Sequence, residues 1–275
     1  MDPHATRSIS PVSMVKSLFA NRSLIFSLVR RDVVGRYRGS AMGLLWSFFN
    51  PVLMLAVYTF VFSLVFKSRW SGGSGSKTEF ALVLFAGFMM FSLFSECLNR
   101  APRLIMNNVN YVKKVIFPLE ILPVVALGSA AFHFLISLAV WMVFYLMFFG
   151  IPGPAILQLP LVILPLILMT LGLSWLLASL GVFLRDVAQI VGVLTTVLLF
   201  LSPIFYPIDA LPEEYRPFIQ ISPLSFVVEQ ARDTMIWSKG IDWEGWWVYT
   251  GVSAMVAWIG FAWFQKTRKG FADVL

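Results

Sequence analysis

Residues 71–78 read SGGSGSKT, and a glycine-rich run closing on Lys-Thr is the kind of sequence that cradles phosphate. A phosphate-binding loop needs G-x-x-x-x-G-K-[ST], because its glycines let backbone N–H groups wrap the phosphates while a Lys and a hydroxyl follow at fixed offsets. Lys77 and Thr78 fit, but Ser71 and Ser76 occupy both glycine positions. Such a loop also joins a buried strand to the start of a helix, whereas this one follows a long apolar run ending in VFKSRW. A flexible Gly/Ser connection without nucleotide is therefore expected. Other chemistry is equally thin. Cys97 is the single cysteine, which excludes an intrachain disulfide and a cysteine-based metal cluster. His4 lies near the start and His133 in an apolar run, so no ligand set is visible. The apolar runs offer no buried acid pair, and the sequence has no Asp-rich metal motif and no His with an Asp placed to pair with it. Glu96 and Glu120 are expected to cap or pair at a membrane border, and His133 to be a packed polar residue.

The elements that would carry these residues follow from composition. Of 275 residues, 59% are hydrophobic, 16% aromatic and 13% charged, and the mean hydropathy is +0.81. These values select an all-α integral membrane protein; the apolar runs are continuous rather than alternating, which excludes a β-barrel. The first apolar run begins near Gly43, too late and too long for a cleaved leader, and reads as a retained span.

Apolar runs at 44–66, 80–98, 124–149, 155–184, 187–206 and 246–264 predict six transmembrane helices. Arg185 and Asp186 alone separate the fourth from the fifth, which demands a tight turn, and Pro160 with Pro165 predicts tilt or a kink near the start of the fourth. Lys and Arg set the orientation: fifteen of the twenty-one fall on the side holding both termini and six on the other, which places both termini in the cytoplasm. The net charge of +7 therefore reports topology and contact with anionic lipid, not nucleic acid. Residues 1–42 form a cytoplasmic N-terminus, 43–265 the transmembrane domain and 266–275 a cytoplasmic tail. The Gly/Ser loop then faces outward, where there is no ATP.

Several segments are more than anchors. In residues 12–34, Val15, Leu18, Phe19, Ile25, Phe26, Val29 and Val33 fall at helical spacing, predicting an amphipathic helix that lies in the membrane interface or packs on a cytoplasmic partner. GRYRGSAMG follows, with Gly35, Gly39 and Gly43 four apart, and predicts a break that leaves Arg36 and Arg38, with Tyr37 between them, at headgroup level. There they would meet phosphate, from ordinary lipid or from an anionic lipid-linked substrate. In the 99–119 loop, Pro102 opens a short helix whose apolar side is Leu104, Ile105, Val109 and Val112 and whose basic end is Lys113 and Lys114. A helix of this kind can dock in a groove on a soluble partner. Residues 207–243 carry Pro207, Pro212, Pro217 and Pro223 among apolar residues, which predicts short re-entrant helices acting as an outer lid. Trp46, Phe49, Tyr58 and Phe62, then Phe85, Phe88, Phe91 and Phe94, form helical-face aromatic runs that could be core, lipid-facing, or the lining of a sugar path.

Three of these stretches together resemble the membrane subunits of type-2 ABC exporters that move lipid-linked O-antigen, capsule or teichoic acid chains. They are RRDVVGRYRGSAMGLLWSFFNP at the first span, NYVKKVIFPLEILP between spans two and three, and LSPIFYPIDALP with ISPLSFVVEQARDTMI before span six; FLRDV is a weaker match. The sequence departs from that family where ISPLS replaces an expected Asn-Pro, and in the Gly/Ser-rich loop. The resemblance implies a homodimer with two copies of a separate ATPase that holds ATP and Mg2+, and a glycan passing between the two membrane subunits. It implies that Arg103, Val109, Asn110, Lys113 and Lys114 contact the ATPase and that Pro203, Phe205, Tyr206, Pro207 and Pro223 belong to the outer gate. A polyprenyl-lipid transferase and a drug or small-lipid permease are the rival expectations.

Overall fold

In the computed structural model, residues 9–61, 70, 76–113 and 117–275 are described. Among these residues every regular element is helical. The chain runs through α1 (Pro11–Ala20), α2 (Arg22–Tyr37), α3 (Leu45–Tyr58), α4 (Lys77–Arg100), α5 (Val109–Lys113), α6 (Leu122–Phe149), α7 (Leu159–Phe183), α8 (Val187–Leu201), α9 (Arg216–Gln220), α10 (Ser225–Met235), α11 (Trp243–Thr267) and α12 (Phe271–Val274). Among the described residues four helices are long and apolar enough to cross a membrane, those built on α4, α6, α7 and α11. The apolar helix 45–61 and α8 are shorter, and α1 and α2 together pass the same test as a bent pair.

The centre of the bundle is α4, which packs against α3, α6, α7, α8 and α10. Val83, Leu84, Ala86 and Met90 on it have no exposed surface. The closest helix pair is α7 with α11. A Cβ on Gly260 would collide with the Gly172 carbonyl, and one on Gly172 with the Val256 carbonyl, so small residues let these two backbones touch. Pro165 lies inside α7 and has no N–H for the carbonyl four residues back, Leu161; the Trp246 indole N–H of α11 donates to that carbonyl at 2.8 Å. Pro160 sits in the first turn of α7, where proline is tolerated, and a short 3-10 stretch, Pro154–Gln158, precedes it.

Four expectations change. The single N-terminal helix is two, bent by 67°, because the Asn21 side-chain amide donates to the Ser17 carbonyl at 2.7 Å and competes with the helical ladder. The second span begins at Lys77, so Lys77 and Thr78 open a helix instead of closing a loop, and Glu79 in the first turn complements the helix dipole. Residues 71–75 of the Gly/Ser run lie outside the described residues. The fifth helix stops at Leu201; Ser202, Pro203, Ile204 and Phe205 continue as buried non-helical chain. The tail is ordered into the bundle, with Phe271 of α12 fully buried. The break after α2 is as expected: Gly39 and Gly43 have φ of 85° and 52°, a region glycine enters without steric cost.

Candidate functional site

Where α2 crosses α4 and α6, seven polar side chains meet. Asp32 of α2 accepts two hydrogen bonds from Arg100 Nη2 of α4, at 2.9 and 2.8 Å, and one from Ser129 Oγ of α6 at 2.5 Å. Burial pushes its carboxyl pKa up, and the hydrogen bonds from Ser129 and Arg100 more than reverse this, holding it below the ordinary carboxylate value. One turn further along α2, Arg36 Nη2 donates to Glu96 Oε1 of α4 at 2.6 Å. The Nδ1 of His133 in α6 lies 3.0 Å from Glu96 Oε2, and its Nε2 lies 3.0 Å from the Tyr37 hydroxyl. With the proton on Nδ1 facing Glu96, Nε2 accepts from Tyr37. His133 is eleven residues into α6, about 16 Å along it at helical rise. Charged groups set against apolar spans are placed only where other groups compensate them.

The acid–histidine pair was not legible in the sequence, since Glu96 and His133 are 37 residues apart. Glu96 is already neutralised by Arg36 and its remaining neighbours are structural, so the arrangement braces α2 against two spans. It also divides the two arginines expected at headgroup level. Arg36 is tied to Glu96, while Arg38, beyond the end of α2, is exposed.

A second cluster joins two groups that the sequence kept separate. Tyr58 of α3 stands edge-on to Phe88 of α4 at 4.9 Å and to Phe205 at 5.7 Å, and Phe88 lies 6.3 Å from Phe91. Aromatic side chains assigned to the path and to the outer gate thus form one surface. Trp46 and Phe49 are exposed on α3. Phe85 and Phe94 are each 1% exposed and lie on opposite sides of α4, both covered by neighbouring helices; they belong to the interior of this chain and line no surface of it, which corrects their place in the path. Phe91 is buried as well, and Phe62 lies outside the described residues.

The residues expected at the outer gate are held by two side chains, Arg232 and Tyr249, that did not stand out in the sequence. Arg232 of α10 is 3% exposed and, among the described residues, has no carboxylate within ion-pair distance; its Nε donates to the Val83 carbonyl at 3.1 Å, Nη1 to Pro203 at 2.5 Å and Nη2 to Ile204 at 2.7 Å. Its guanidinium also lies 4.2 Å over the Trp70 ring. Tyr249 of α11 donates its hydroxyl to the Pro223 carbonyl. Phe205 is buried, and Tyr206 and Pro207 are half-buried behind it. An arginine inside the short-helix segment expected to re-enter the membrane before the last span was the available signal.

The segment after α4 is divided too. Leu104 and Ile105, expected on an outward apolar side, are buried in the bundle, and Pro102 packs so closely on α7 that a Cβ on Gly181 would strike its carbonyl. Arg103, Asn107 and Asn110 are exposed, and Val109 is half-buried. Lys114 and the side chain of Lys113 lie outside the described residues. No group of His, Cys, Asp and Glu among the described residues has the arrangement of a metal site.

Fold and site together define a multi-pass helical membrane protein whose charged groups brace one helix against another. Its sequence matches the profile of the ABC-2 type transporter family over residues 23–236, and the chain belongs to that family. It is similar to an O-antigen export system permease protein RfbA of Myxococcus xanthus, with 27% identity covering 95% of this chain and 99% of the relative. A protein of the same name from Klebsiella pneumoniae is 25% identical over 92% of this chain and 95% of its own length. The polysialic acid transport protein KpsM of Escherichia coli is 25% identical over 76% of this chain and 80% of its own.

Proposed function

We propose that this chain is the transmembrane subunit of an ATP-driven exporter that carries a lipid-linked polysaccharide, an O-antigen in the first instance, from the cytoplasmic to the outer side of the inner membrane. The observation that carries this reading is the end-to-end match to permeases named for O-antigen export, covering 95% and 92% of the chain. A capsular glycan is the second reading, favoured by the relative named for polysialic acid.

In this reading α3 and α8 also cross the membrane, giving six spans, while α1 and α2 lie along its cytoplasmic face and α9 and α10 dip back from the outer side. Both termini are cytoplasmic, as the bias of Lys and Arg requires. A second copy of the chain covers the outward apolar faces of α3 and α8, where Leu53, Val57, Val193, Leu194 and Val197 are exposed. Two copies of a separate ATPase supply ATP and Mg2+ and press on the exposed Arg103 and Asn110. Arg38 receives the phosphate of the lipid carrier beside the Arg36–Tyr37 brace, and Tyr58 with Phe88, backed by the buried Phe205, offers apolar ring surface to sugar rings. Such contacts are favourable yet replaceable, which a moving chain needs.

The test is complementation. A strain lacking its own O-antigen permease but holding the cognate ATPase should regain surface O-antigen when this chain is expressed. Glycan retained inside, with chain and ATPase assembled, would show that the cargo is wrong; recovery of a capsule in the parallel capsule-deficient strain would select the second reading.

A further inference from the structure

At the end of the bundle that the charge bias assigns to the cytoplasm, three elements meet at one carboxylate. Glu120, 1% exposed, lies in the turn Leu119–Ile121 that leads from the α5 segment into α6. Its Oε1 accepts from Ser17 Oγ of α1 at 2.9 Å and its Oε2 from Arg268 Nη1, just beyond α11, at 2.6 Å. Arg268 Nη2 donates to the Phe117 carbonyl at 2.7 Å. The Phe117 ring stacks on Tyr111 of α5, with centroids 4.3 Å apart and planes 7° from parallel, and the Tyr111 hydroxyl accepts from Arg31 of α2 at 2.9 Å. Arg268 is itself anchored on both sides. Thr267 bonds Ser179 at 2.6 Å, and Phe271 is buried against Phe183 and Phe264.

We infer that Glu120 and Arg268 form a clasp through which α5, the N-terminal pair α1 and α2, and the C-terminal turn move as one body, so that a displacement of α5 reaches the N-terminal helices undiminished. The inference rests on the export reading, in which α5 lies in the segment pressed by the ATPase. The physical reason is the burial of the carboxylate. A loop of short turns would bend when pushed, but here bending must separate Arg268 from a carboxylate buried away from solvent. The clasp also gives residues 266–275, otherwise a plain tail, a part in transmission. Glu120 and Arg268 are positioning residues: they touch neither glycan nor nucleotide.

The experiment uses the full chain assembled with its ATPase in lipid nanodiscs and proteoliposomes, and reads glycan exported per ATP hydrolysed. The double variant Glu120→Gln with Arg268→Gln removes both charges together, so neither is left buried alone. It should hydrolyse ATP at a rate near wild type while exporting at least fivefold less glycan per ATP, and Arg268→Lys should recover part of the ratio. An unchanged ratio in an assembled double variant overturns the clasp. A second measurement needs no variant of the clasp: with Cys97 replaced by serine, spin labels at the exposed positions Phe19 and Asn107 should keep their separation when ATP is added. A change of several ångströms there overturns the clasp even if the double variant does not assemble. A wild-type chain that recruits no ATPase overturns the export reading together with it, whereas an exporting wild type with a flexible Phe19 to Asn107 distance overturns the clasp alone.

Discussion

At the scale of single residues, three arginines of similar sequence context have different work. Arg232 is buried with its guanidinium on three carbonyls, Arg36 is paired with Glu96, and Arg38 is exposed. Replacing Arg232 by Met orphans two buried carbonyls, those of Pro203 and Ile204, each costing about 1–3 kcal/mol, while Val83 keeps its helical bond within α4, so the variant should melt well below wild type in detergent. Arg232→Lys should recover little, because one ammonium cannot reproduce the planar fork. Gly87→Ala should lower the melting point in the same direction, since its Cβ would lie 2.8 Å from Arg232 Nη2. Arg38→Ala should leave the melting curve within about 0.5 kcal/mol of wild type, as surface changes do, while reducing surface glycan severalfold. A melting shift for Arg38→Ala as large as that for Arg232→Met would contradict this division. Residue type alone does not separate them, because what each guanidinium meets is set by the helix crossings.

Among elements, the tightest constraint is the contact of α7 with α11. Gly260→Leu would push the two backbones apart where the Gly172 carbonyl now touches, a cost of roughly 1–3 kcal/mol or more for an overpacked contact. Its signature should be loss of folded protein, measured as the monodisperse fraction after heating. Gly181→Leu acts differently, because it displaces Pro102 and with it the start of the α5 segment. That variant should still insert but bind the ATPase less well, which a pull-down would measure; undiminished capture would show that the segment tolerates the shift. The aromatic surface belongs to this scale as well. Tyr58→Ala with Phe88→Ala should cut export while ATPase binding persists, because Tyr58, Phe88 and Phe205 come from three different parts of the chain and present one face.

For the whole molecule, exposure of large apolar side chains is concentrated on α3, α6, α8 and α11. Lipid accounts for any one of these faces. α3 and α8 both flank the central α4, and a second copy seated across them would enclose the Tyr58 cluster between two chains. Single cysteines at Leu194 in a Cys97→Ser background should therefore cross-link into dimers in membranes, and cysteines at Trp247 on α11 should not. Equal cross-linking at both positions would remove α8 from the interface. The purified chain without partner should hydrolyse no ATP above background, since Ser71 and Ser76 stand where a phosphate-binding loop needs glycine.

What the sequence determined by itself is whatever depends on the solvent. Continuous apolar runs of about 20 residues must become helices in a bilayer, because every backbone N–H and C=O has to be satisfied within its own segment. That made the helical class, the long spans α4, α6, α7 and α11, the break at Gly39 and Gly43 and the family resemblance legible before any coordinates. Span ends were less legible: α4 starts at Lys77 and α8 stops at Leu201, since hydropathy does not register capping or a buried non-helical strand of chain such as residues 202–205. Only the tertiary structure decided the partners of the charges. Asp32 with Arg100, Arg36 with Glu96 and His133, Glu120 with Arg268, and Arg232 with three carbonyls are each joined across 28 residues or more. A charge in an apolar segment announces that some compensating group must exist, but which one lies within hydrogen-bonding distance is fixed by how the helices cross.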